Sequence, residues 1–238
     1  MANGKSTHDV SPESVAAVNQ LVPMDVSGQM CLDDGKPKTL SVMILDRSGS
    51  MAKYGDTPQK CVNDHLTAIK NQPDGREQFV TVITFADNAK IEIPVSPAAT
   101  VQPLEAYLAD GGTLQWRTVH ETLKLFCTLH RMNDPKNLKV FVGVISDGDD
   151  NLSNKPTYPE EPYPKKTQKW AKIALDLGFE LFAYGIGIDG KKLAEDMGFP
   201  SDDQHAFTLE ASVASVREAT THFTKSTTRV HSGFWKKP

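Results

Sequence analysis

Asp46, Ser48 and Ser50 stand at alternate positions in LSVMILDRSGSM, directly after a run of apolar and small residues. An aspartate delivered there, with hydroxyls two and four places on, can do one of three things. It can cap a helix through a serine-rich turn, attack as a nucleophile, or offer oxygen to a hard cation. Two further segments bear on the choice: Gly111-Gly112-Thr113, and Asp147-Gly148 at the end of FVGVISDG. Together they would supply two carboxylates and three hydroxyls. Such an all-oxygen set suits Mg²⁺ above all, which keeps several of its waters, with Mn²⁺ and Ca²⁺ as the alternatives. If the hydroxyls bind directly and the aspartates act partly through water, the ion is under-neutralised. It then favours an anionic ligand from outside, and a partner protein's carboxylate fits.

These groups can meet only if strands bring them to one edge. LSVMIL reads as a strand buried on both faces. QFVTVITFA, LKVFVGVIS and FELFAYGIGI are further strands, rich in β-branched and aromatic residues. AKIEIPVS alternates and follows the turn pair Asp87-Asn88, so it reads as an antiparallel edge strand, where Pro94 is tolerated. HAFTL is a short strand. Helices are predicted at Thr57–Lys70, at Leu114–Met132, and around Trp170, Ile173, Ala174 and Leu177. A short helix at KKLAEDMG is capped by Gly198, and the last runs from Ser212 to Lys225. DGDDNLSNKPTYPEEPYP is irregular, with Asp149 and Asp150 expected as solvated loop acids. The alternation predicts an α/β fold: a Rossmann-like open twisted sheet, mostly parallel with one antiparallel edge strand, and helices on both faces. Ligands in such folds sit beyond the carboxyl ends of strands, where connections diverge. Asp46, Thr113 and Asp147 fall at such ends.

MILDRSGSM, DGGTLQW and VGVISDGDDN resemble, in order and spacing, the three parts of the metal-ion-dependent adhesion site of von Willebrand factor type A domains. The resemblance runs over about residues 39–226. It implies that Asp46, Ser48, Ser50, Thr113 and Asp147 hold the cation, the hydroxyls directly and the aspartates directly or through water. It also implies a protein-binding module with no chemistry of its own. Intracellular members of the family work beside AAA-type ATPases, as in metal chelatases, or in stress resistance such as that to tellurite.

The rival readings fit less well. A haloacid-dehalogenase-like phosphatase would use Asp46 as nucleophile, but needs a second acid where Ser48 stands, and a serine does not protonate a leaving group near neutral pH. A type A scaffold acting without metal is the structural alternative. DGDDN fails as an EF-hand, with Leu152 at the glycine position and Tyr158 at the glutamate position. Gly185-Ile-Gly187-Ile-Asp-Gly190 matches a dinucleotide fingerprint but comes late in the chain and before a short helix. Arg47, between Asp46 and Ser48, is expected to point away from the ion as a rim charge.

Composition sets the outer bounds. The chain has 238 residues, 39% hydrophobic and 24% charged, enough for one buried sheet. The net charge of −4 gives no reason to expect nucleic acid or an anionic membrane as partner. No apolar run approaches the roughly 18 residues of a membrane helix, and the N-terminus has no signal-peptide core. Cys31, Cys61 and Cys127 form no CxxC pair. Reduced thiols and a cytoplasmic location are therefore the expectation. The domain is expected at residues 39–226, between a polar extension at 1–38 and a tail at 227–238.

Overall fold

The computed structural model describes residues 36–72, 76–133, 137–153 and 163–229. Cys31, nearly all of the N-terminal extension, most of the tail and part of the proline-rich loop lie outside the described residues. The strands are β1 (Lys38–Asp46), β2 (Glu77–Phe85), β3 (Ala89–Pro97), β4 (Leu138–Ser146), β5 (Glu180–Ile186) and β6 (Ala206–Leu209). The helices are α1 (Thr57–Lys70), α2 (Gln115–Asn133), α3 (Tyr163–Asp176), α4 (Gly190–Met197) and α5 (Val213–Thr228). A single sheet has the order β3-β2-β1-β4-β5-β6. All neighbours are parallel except β2 and β3. The predicted Rossmann-like sheet with one antiparallel edge strand is therefore the observed one.

The apolar run of β1 is continuous because it is buried twice. Leu40, Val42 and Ile44 join a core with α2, α3 and α4, while Met43 and Leu45 join a second core with α1 and α5. Period-2 side-chain alternation thus serves two hydrophobic layers at once. β4 does the same, with Val140, Val142 and Val144 on one side and Phe141 and Ile145 on the other. β3 lies at the edge with an irregular register beside Val82, and its exposed Lys90 marks an unpaired strand side.

Several boundaries differ from the predicted ones. β5 stops at Ile186, two residues short of the apolar run, because the chain turns at Gly187, where φ is 75°. The glycines that mimic a dinucleotide fingerprint are explained by packing: a Cβ on Gly190 would come within 1.9 Å of the Phe207 carbonyl oxygen. Asp189 caps α4 by accepting hydrogen bonds from the Lys191 and Lys192 amides. α5 continues three residues past Lys225, to Thr228. One element was not predicted, a 3₁₀ helix at Gly49–Tyr54 between β1 and α1.

β1 and β4 are neighbours at the centre of the sheet. The chain leaves β1 toward β2 on one side and leaves β4 toward β5 on the other. Their carboxyl ends thus form the crevice where an open α/β sheet binds ligands.

Candidate metal centre

Asp46 is the last residue of β1 and Ser146 the last of β4; Asp147 follows. The parallel pairing of these strands sets both ends side by side. Asp46 is fully buried, and both its oxygens are engaged: Oδ1 accepts from the Ser48 amide at 2.8 Å, and Oδ2 from the Ser146 hydroxyl at 2.6 Å. Its own carbonyl accepts from the Tyr107 hydroxyl at 2.5 Å. Ser48 Oγ lies 3.0 Å from Ser50 Oγ, and Ser50 Oγ donates to Asp147 Oδ1 at 2.6 Å. The Ser48 and Ser50 hydroxyls and the Asp147 carboxylate thus form one connected chain of oxygens, and the Ser48 amide ties Asp46 to it.

Thr113 enters on a separate loop that several contacts fasten to this edge. The Gly49 amide donates to the Gly111 carbonyl at 3.0 Å, and the Asp110 amide to the Arg47 carbonyl at 2.9 Å. Gly111 has φ 78°, and a Cβ there would meet Asp87 Oδ2 at 2.5 Å, so the position requires glycine. Asp87 in turn accepts from the Gly112 amide. Asn151 Oδ1 accepts from the Thr113 amide at 3.0 Å. Thr113 is buried. All five predicted residues therefore lie on one sheet edge, four of them linked directly and Thr113 held on the adjoining loop.

The electrostatics suit a cation. Burial pushes the Asp46 carboxyl above its ordinary pKa; Ser146 and Ser48 pull it back, and the charge of Asp147 raises it further. Burial, with the charges of Asp46 and Asp147, also pushes the Tyr107 phenol up. The donors on Asp46 are neutral, so its ionised form has no counter-charge in contact. A hard divalent ion would supply one, and the hydroxyl and carboxylate donors match its preference. Among the described residues no group of three or more His, Cys, Asp and Glu could hold a metal, so hydroxyls must complete any ligand set here.

Arg47 turns away from this edge, as expected, toward Asn88 Oδ1 at 3.1 Å. Asp149 is exposed, but Asp150 departs from expectation. Its carboxylate accepts from the Trp116 amide at 2.7 Å, from the Leu152 and Ser153 amides, and from the Ser153 hydroxyl. It is thus a capping group for the start of α2, reaching over from the loop after β4. The sequence reading also missed Ser146, Tyr107, Asp87 and Lys53, whose ammonium lies 2.8 Å from Asp147 Oδ2. Cys61 and Cys127 are buried free thiols; burial pushes both up, Cys127 to about 12, which disfavours the thiolate. No described helix is long and apolar enough to cross a membrane.

The model of the von Willebrand factor type A domain matches residues 42–221. No curated protein matches the chain. Solved structures similar to it include the pilus adhesin SpaC of Lactobacillus rhamnosus GG in an open conformation, with 18% identity and a TM-score of 0.56 over 82% of this chain and 30% of that one. A von Willebrand factor type A structure from Catenulispora acidiphila has 18% identity and a TM-score of 0.54 over 80% of this chain and 43% of that one. Proximal thread matrix protein 1 of the mussel byssus, with a zinc-occupied MIDAS motif, has 17% identity and a TM-score of 0.51 over 82% of this chain and 47% of that one. The chain thus spans less than half the length of these three.

Proposed function

Since this chain belongs to the von Willebrand factor type A domain family, we propose that it is a divalent-cation-dependent protein-binding module without catalytic chemistry, which holds an acidic side chain of a partner. The observation that carries this reading is the linked set Asp46, Ser48, Ser50 and Asp147 at the central crevice, with Thr113 on the adjoining loop. These five residues would hold the ion. Mg²⁺ is the ion proposed, with Mn²⁺ or Ca²⁺ able to replace it; the zinc-occupied motif of the mussel protein supports a divalent ion in general.

Each residue has a separate task. β1 and β4 fix the two carboxylates. Ser146 and the Ser48 amide hold the Asp46 carboxylate in one rotamer, which preorganises it. Ser48, Ser50 and Thr113 present neutral oxygens, so the site does not neutralise a divalent charge with its own hydroxyls. The bound ion would supply the positive charge that an incoming carboxylate coordinates. Tyr107 and Arg47 brace the turn from its flanks through the Asp46 carbonyl and Asn88.

Affinity capture with the full chain as bait tests the reading, in Mg²⁺ and in EDTA, alongside Asp46→Ala. A specific partner is expected only with wild type in Mg²⁺, and replacing one Asp or Glu of that partner by Ala should abolish capture. Capture that persists equally in EDTA and with Asp46→Ala would contradict a metal-held carboxylate and favour a scaffold acting through its surface alone.

A further inference from the structure

The turn that carries Ser50 also carries Lys53. Gly49–Tyr54 is a 3₁₀ helix, in which side chains three residues apart eclipse. Ser50 and Lys53 therefore reach in the same direction, and both end on Asp147. Ser50 Oγ donates to Oδ1 at 2.6 Å, and Lys53 Nζ stands 2.8 Å from Oδ2. The contact pairs an ammonium with a carboxylate, charge against charge. The Asp147 side chain is wholly buried, while that of Lys53 is 50% exposed. The ammonium also rests 4.9 Å from the centre of the Tyr54 ring, which gives it a second favourable surface. Both oxygens of Asp147 are thus engaged, one by a neutral hydroxyl and one by a positive charge on a flexible tether.

We propose that Lys53 is a tethered counter-ion that competes with the divalent cation for Asp147 and so sets the affinity of the site. This rests on the cation reading given above. An ammonium and a divalent ion on the two oxygens of one carboxylate repel each other at such distances. Entry of the ion therefore sends Lys53 outward, which its half-exposed stem allows. The lysine keeps the buried Asp147 charge compensated until then, and it raises the ion concentration needed to fill the site. A purely structural surface ion pair would do neither.

Calorimetric titration of Mg²⁺ and Mn²⁺ into wild type, Lys53→Met, Lys53→Arg and Lys60→Met tests this, with melting temperatures taken in EDTA and at saturating ion. Lys53→Met keeps the stem and removes the charge. Lys60, which pairs with Asp56 on the neighbouring helix, controls for net charge. Lys53→Met should bind the ion about two- to fivefold more tightly, the scale of an ion pair with one half-exposed partner that no longer has to be broken. Lys53→Arg and Lys60→Met should stay close to wild type. In EDTA, Lys53→Met should melt below wild type, and at saturating ion the two should coincide. Equal affinity in wild type and Lys53→Met, or an equal loss of melting temperature with and without ion, would overturn the proposal and leave the cation reading intact. Failure of every variant to bind either ion would remove both.

Discussion

Saturating Mg²⁺ or Mn²⁺ should raise the melting temperature of the wild-type protein by on the order of 5–10 °C and should leave Asp46→Asn and Asp46→Ala unmoved. The size follows from linkage. An ion at 100 times its dissociation constant adds about 2.7 kcal/mol if it binds only the folded chain, and a chain of this length shifts by about 2–4 °C per kcal/mol. The selectivity for Asp46 follows from the structure. Its carboxylate is fully buried and touched only by the neutral donors Ser48 and Ser146. Folding therefore confines a negative charge without a partner, and a cation relieves that cost. Asp46→Asn preserves shape and most of the hydrogen bonding but removes the charge. Differential scanning calorimetry, in EDTA and then with the ion, reads the shift directly. A rise that survives in Asp46→Asn would show that the ion binds elsewhere.

Acid should unfold the protein through a residue far from that site. His65 on α1 is fully buried beside the Phe223 ring, with Ser41 of β1 3.0 Å from Nε2 and Thr224 of α5 2.9 Å from Nδ1. These contacts include no charged side chain, and burial lowers its pKa from 6.5 to about 4. The folded state therefore binds fewer protons than the unfolded one below the unfolded pKa. The stability from the neutral imidazole is complete above 6.5 and is lost as pH falls toward 4. At 1.36 kcal/mol per unit, the loss at a pH of about 4.5 is roughly 2.5 kcal/mol. Asp46, whose pKa is raised, works in the opposite sense, so the wild-type curve alone mixes the two. Urea unfolding of wild type and His65→Gln at a series of pH values separates them. The variant should be less stable near neutrality, where the histidine's packing is lost, but flatter toward acid. Parallel curves would show that His65 does not carry the acid sensitivity.

The parts of this molecule that could be read from the sequence are those whose signal is local. β1 and β4 are runs of apolar residues because both faces are covered. DxSxS places its three oxygens within five residues, and the order of the GGT and SDG segments along the chain completes the pattern. Features that depend on a distant partner were silent. Ser146 reads as the last residue of a strand, and its carboxylate partner is 100 residues away. Tyr107 sits in a stretch without periodicity, 61 residues from the carbonyl it binds. Asp150 has the composition of a solvated loop acid. It becomes a helix cap only because the loop after β4 folds back over the start of α2. Lys53 required the 3₁₀ geometry of its turn, since i and i+3 eclipse there but not on an α-helix. A charged residue in a glycine- and serine-rich turn gives no sign of that on its own.

We propose that Asp46, Ser48, Ser50, Thr113 and Asp147 hold one divalent ion between them. Titration with Mn²⁺, with the free ion counted by electron paramagnetic resonance, tests it most directly. Wild type is expected to take up a single ion per chain that Mg²⁺ displaces, while Asp46→Asn, Thr113→Ala and Asp147→Asn each lose it. A wild-type protein that takes up no Mn²⁺, or a bound ion that survives all three substitutions, would contradict the assignment.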